Sequence, residues 1–142
     1  MKKPLYLLFI LLTSFSSLIA SASPASQSSS PEGAIVYIIS PVDGAVVNSP
    51  VLIRFGLKGM GVAPAGTDRA NTGHHHLLVD GEALPNMTAA MGANVKHFGG
   101  GQTEASVELL PGEHTLQLIM GDKYHVPHTP PVVSEKITVT VQ

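Results

Sequence analysis

The chain has 142 residues, no cysteine and a formal net charge of −2 at pH 7. Its fold therefore rests on an apolar core without disulfides, and no metal site in it can use thiolate. Of eight Lys and Arg residues, Lys2 and Lys3 stand at the very start; the other six face ten Asp and Glu residues, and no basic patch forms, which argues against nucleic acid as a partner.

The first segment is a targeting signal rather than part of the fold. Lys2 and Lys3 give a basic start, Leu5 to Ile19 an apolar middle, and Ala20-Ser21-Ala22 a small-residue cleavage site. This pattern predicts a secretory signal peptide over residues 1–22 and an exported protein with no membrane attachment after cleavage. Thr13, Ser14, Ser16 and Ser17 interrupt the apolar run, which argues against a retained anchor. Residues 23–33 are rich in Ser and read as a flexible tether. Residues 34–142 remain for one domain, long enough to build a core.

From residue 34 onward the signals are β. A-I-V-Y-I-I-S (34–40) is a β-branched run stopped by Pro41, and P-V-D-G forms a turn cluster after it. In V-L-I-R-F-G-L (51–57), Val51, Ile53, Phe55 and Leu57 share one face. H-H-H-L-L-V-D (74–80), A-S-V-E-L-L (105–110), E-H-T-L-Q-L-I-M (113–120) and S-E-K-I-T-V-T-V (134–141) follow. No window reads as an amphipathic helix, apart from a possible short turn near Met87 to Gly92. About seven short strands separated by turn signals predict an all-β, antiparallel β-sandwich. I-S-P-V-D-G-A-V-V-N-S-P-V-L-I-R-F resembles the opening strands of bacterial immunoglobulin-like modules, which makes the expectation an immunoglobulin-like sandwich.

The chemistry of this chain lies in its seven histidines. Side chains alternate faces along a strand, so His75, Leu77 and Val79 share the core side, and His74 and His76 point together to the other. Two imidazoles at that spacing, about 6.6–7 Å along the strand, converge on one metal ion if a neighbouring loop supplies a third ligand. His125 and His128 lie in the Pro-rich connection H-V-P-H-T-P-P, whose restricted backbone lowers the cost of presenting ligands. His97 ends a long loop from about 81 to 103, and unstructured loops of that length are usually functional. The expected ligands are His74, His76 and His125, with His97 or His128 as a fourth. His75 and His114 are expected to be structural, His114 through a hydrogen bond back to the backbone at a turn. Without thiolate the natural ions are copper or zinc, and a thioether from Met60, Met87, Met91 or Met120 would favour copper(I). Asp80 or Asp122 is a candidate carboxylate ligand or an orienting partner for an imidazole. Because neutral imidazole binds the ion, affinity is expected to fall as pH drops through about 6.5.

Several enzymatic signatures are missing. The sequence has no H-E-x-x-H, no G-x-S-x-G and no cysteine nucleophile. G-G-G-Q-T (99–103) lacks the Lys-Ser/Thr of a phosphate loop. The expectation is a binding protein rather than an enzyme. The alternative is a module without metal, whose histidines and loops contact an envelope protein or glycan.

The ordered strings N-T-G-H-H-H-L-L-V-D, H-F-G-G-G-Q-T-E, L-L-P-G-E-H-T-L-Q-L-I-M-G-D and H-V-P-H-T-P-P-V-V-S-E-K-I-T-V resemble a bacterial exported family described as domain of unknown function 4399. The likeness spans about residues 35–141. It implies a small, exported, single-domain protein, periplasmic or secreted, and supplies no reaction. The family pattern centres on three stretches, held here by His74 to His76, by His97, and by His125 with His128.

Overall fold

A computed structural model describes residues 27–142. The signal peptide expected over residues 1–22 lies outside the described residues.

Every regular element among the described residues is a strand: β1 (Ile35–Ser40), β2 (Ala45–Val47), β3 (Val51–Lys58), β4 (Gly61–Val62), β5 (Thr72–Val79), β6 (Lys96–His97), β7 (Glu104–Val107), β8 (Gly112–Gly121) and β9 (Ile137–Val141). The expected short turn near residues 87–92 contains no helix. Two very short strands, β4 and β6, bring the count above the seven expected. Neither has the length to show as periodicity.

The strands form two sheets. One has the order β1-β3-β7 and curls into half of a barrel; the other has the order β2-β9-β8-β5-β4, with β6 also pairing β5. Not all pairing is antiparallel. β2 runs parallel to β9, and β4 parallel to β5. Val51, Ile53 and Phe55 of β3 face inward as the alternation requires, and meet Leu77, Leu116, Leu118 and Val139 of the larger sheet in one shared core. Burial of these apolar chains, about 1.5–3 kcal/mol for each Val, Leu, Ile or Phe, is what joins the two sheets in a chain with no disulfide.

β5 is the strand that carries the three successive histidines. Residues Gly73 to Leu78 are buried in succession, so both of its faces are covered. One face, with His75 and Leu77, looks into the main core. The other, with His74, His76 and Leu78, looks toward a smaller apolar cluster of Leu78, Val95 and Ile119. The far edge of β5 is shared: β4 pairs with Thr72 and Gly73, β6 with His76 and Leu77.

The stretch read as a flexible tether is fastened to the domain from Gln27 on. The Gln27 amide donates to the carbonyls of Met87 and Pro127, and the Ser28 hydroxyl donates to the Asp122 carboxylate (2.9 Å). Ser30 N–H donates to the Thr129 carbonyl (3.0 Å). The Ser30 hydroxyl donates to the Pro130 carbonyl (2.7 Å), so the side chains of Ser28 and Ser30 both find partners in the β8–β9 connection.

Candidate metal centre

Four imidazoles meet on the outer face of β5. His74 and His76 project together from the strand, their ring centroids 4.6 Å apart. β6 pairs antiparallel to β5 with His97 directly opposite His76, and their ring centroids stand 5.1 Å apart. His125 arrives from the connection between β8 and β9, with its ring 4.6 Å from that of His97 and 5.1 Å from that of His74.

One ring nitrogen from each of His74, His76, His97 and His125 lies within 4.8 Å of all the others. Four atoms so placed can be no more than about 2.9 Å from a common centre. A contraction of under ~1 Å per ligand brings them to the ~2.0–2.1 Å of metal–imidazole bonds.

The hydrogen bonding of these rings is incomplete. His74 is fully buried and His76 is 1% exposed. Both nitrogens of His76 and Nδ1 of His74 are buried with no hydrogen-bond partner. The remaining nitrogen of His74, Nε2, faces Nδ1 of His125 at 3.1 Å. Buried polar atoms are nearly always paired, so this concentration of lone imidazole nitrogens calls for a partner that is not part of the chain.

The electrostatics follow from the crowding. Burial first, then the neighbouring His97 and His125, lower the pKa of His74 to about 4. Burial, with His74 next, lowers that of His76 to about 3. His97 is lowered by its partial burial and by His125. The rings of His74 and His76 are thus neutral well below pH 6.5, ready to donate lone pairs. For an ion held there, proton competition at these two rings would fall lower on the pH scale than the ordinary imidazole range expected from sequence.

Local structure explains how each ring is aimed. Gly99 lies against His97: a Cβ there would meet His97 Cε1 at 2.2 Å. Phe98, next to it, packs on Phe55 (centroids 4.9 Å apart) and donates its N–H to the His75 carbonyl, which pins β6 to the core. Gly121 does the same for His76, since a Cβ would stand 2.5 Å from its Cε1. His125 adopts φ 66, a left-handed conformation that His tolerates better than most residues. Asp122 holds that turn: its Oδ1 accepts from the N–H groups of Tyr124 (2.8 Å) and Val126 (3.1 Å), while Oδ2 accepts from Ser28. Burial pushes the Asp122 carboxyl up, but these hydrogen bonds prevail and its pKa lies below the usual value.

The other candidates stand apart from the cluster. His128 is buried, with its ring nitrogens facing the carbonyls of Thr72 (3.1 Å) and Met120 (3.4 Å). Of the two candidates for a fourth ligand, the structure therefore brings in His97 and not His128. Pro127 separates a histidine that turns to the site from one that turns into the interior. His75 lies on the core side, its ring 5.0 Å from that of Phe55 and its Nδ1 donating to the Gln102 carbonyl. His114 donates from Nε2 to the Leu110 carbonyl (2.8 Å) and from Nδ1 to the Asp80 carboxylate (2.7 Å). The Asp80 bond and then the Leu110 bond raise its pKa. Asp80 is thereby engaged with His114 and Thr115, and Asp122 organises the His125 turn. Neither carboxylate belongs to the group of four.

Residues 53–142 match the family described as "Domain of unknown function (DUF4399)". The chain belongs to this family. The matched span of this DUF4399 chain includes all four clustered histidines, together with Gly99 and Gly121 that cradle two of them, while β1 and β2 precede it. No curated protein and no solved structure matches the chain.

Proposed function

We propose that this DUF4399 chain is an exported, immunoglobulin-like β-sandwich that binds one copper or zinc ion through His74, His76, His97 and His125. Its role is to buffer, deliver or sense the ion in the periplasm or outside the cell, without turnover. The observation that carries the reading is His76. It is a buried ring with both nitrogens unpartnered, set among three further imidazoles whose nitrogens lie within 4.8 Å of one another. The ligand set is neutral and free of thiolate, which suits copper or zinc. Export is supported by the leader pattern of residues 1–22. An immunoglobulin-like arrangement is supported by the strand order β1-β3-β7 against β2-β9-β8-β5 and by the parallel pairing of β2 with the last strand.

The test is metal content by mass spectrometry on untagged protein from an exported fraction, prepared without chelator. Wild type and His128→Ala are expected to carry near-stoichiometric copper or zinc, and the double variant His74→Ala/His76→Ala none. Wild-type protein that is metal-free and takes up neither ion near neutral pH would refute the reading and leave an interaction module of the cell envelope in its place.

A further inference from the structure

Beyond the four imidazoles, one side chain at the site has donor chemistry of its own. A cleft opens on the cluster, lined by His76, His97 and His125 together with Met91, Ala93 and Val95. The end of the Met91 side chain and the His76 ring converge over Gly121. From a Cβ placed on that glycine, Met91 Cε lies at 3.0 Å and His76 Nδ1 at 2.9 Å. The Met91 backbone is tied to the site as well, because its N–H donates to the His125 carbonyl (2.9 Å). Met91 also packs, with Met87, against the apolar cluster of Leu78, Val95 and Ile119.

This environment discriminates between ions. A divalent ion gains from an anionic ligand, and the four-residue group contains none. The two candidate carboxylates, Asp80 and Asp122, are committed to hydrogen bonds elsewhere. A soft monovalent ion is suited by neutral imidazole, by thioether and by an apolar wall. Methionine has three rotatable side-chain bonds, so its sulfur can swing toward an ion with the backbone held in place.

Resting on the metal reading above, we propose that the site takes copper(I), with the thioether of Met91 as a ligand beside imidazoles of His74, His76, His97 and His125. Met91 thereby sets the preference of the site for copper(I) over zinc.

The experiment titrates apo full-length exported protein with copper(I) against a chromophoric copper(I) chelator under reducing, oxygen-free conditions, and separately with zinc against a zinc chelator. Wild type, Met91→Leu and Met87→Leu are compared. Leucine conserves volume and apolarity at both positions. Wild type is expected to bind one equivalent of copper(I). Met91→Leu is expected to weaken copper(I) binding by about 10-fold or more and leave zinc binding unchanged, while Met87→Leu changes neither. X-ray absorption of the wild-type copper(I) form is expected to contain a sulfur scatterer, which needs no variant to fold. Copper(I) affinity unchanged in Met91→Leu, or nitrogen scatterers alone in the wild type, overturns the thioether assignment and leaves the metal site standing. Zinc uptake without copper(I) uptake does the same. Protein that binds neither ion overturns both.

Discussion

Replacing His76 by leucine is expected to make the metal-free protein more stable. Both ring nitrogens of His76 are buried without partners. An unsatisfied buried polar group costs about 1–3 kcal/mol, so the two together burden the folded state by roughly 2–6 kcal/mol. Leucine is similar in size and has no polar atom. The imperfect fit of its branched shape beside Gly121 returns about 1–2 kcal/mol of the gain. At the middle of these ranges the net is about 2.5 kcal/mol of added stability. For a domain of roughly 100 residues this is a rise in Tm of about 5–15 °C. The assay is thermal or denaturant unfolding of wild type and His76→Leu in excess chelator, repeated with metal. Metal at 100 times its Kd should raise the stability of wild type by about 2.7 kcal/mol and leave the variant unmoved. If His76→Leu is instead less stable than wild type in chelator, the nitrogens of His76 are satisfied in the metal-free protein. The histidine cluster would then be a structural hydrogen-bond network, and the argument from its orphaned atoms would fall.

Three further outcomes are expected. The folded-state pKa values of His74 and His76, about 4 and about 3, lie below the ordinary 6.5. The unfolded chain therefore binds more protons than the folded one between these values, and metal-free stability should fall as pH drops from about 6.5 toward 3. At about 1.4 kcal/mol per unit, and with solvent at the open side of the cluster softening the effect, the loss is roughly 3–5 kcal/mol, measurable by denaturant unfolding across pH. His114 works in the opposite sense, since its raised pKa adds stability that is present below 6.5 and lost as pH rises through its folded value. In Gly99→Ala, the new methyl meets the His97 ring and must push it from the cluster. Metal affinity measured by chelator competition should drop about 10-fold or more, with a change in metal-free stability of under ~1 kcal/mol, because β6 lies at the surface.

The parts of the site that follow a strand period were legible in the sequence. Alternation along H-H-H-L-L-V places His74 and His76 on one face and His75 on the other, and β5 obeys it. His97 and His125 were readable only as candidates. His97 reaches the cluster through a two-residue strand whose register against His76 has no periodic signature. His125 is aimed by a left-handed turn that Asp122 fixes from two sides. That turn has a local cue, an Asp followed three residues later by a residue type that tolerates positive φ. His128 could not be told from His125 by spacing, since the difference lies in which way the chain leaves Pro127. The glycines were the missed signal. G-G-G-Q-T lacks the marks of a phosphate loop, yet its Gly99, like the distant Gly121, leaves space for an imidazole ring. In the fold, the β character and the inward face of β3 were plain. The parallel edges β2–β9 and β4–β5 were not, because they depend on which strands meet across the molecule.

The four rings come from three separate lengths of chain: β5, the β6 segment and the connection before β9. An ion held by all of them would act as a cross-link in a chain that has no cysteine, closing two successive loops of about 20–30 residues. The second of these loops contains β7 and β8 of the core, so the segment free to open by itself is residues 81–95, and an ion held at both of its ends would oppose that opening. Proteolysis within residues 81–95, and hydrogen exchange of the amides there, would then report occupancy of the site directly, because the residues that give way first are those the ion ties down.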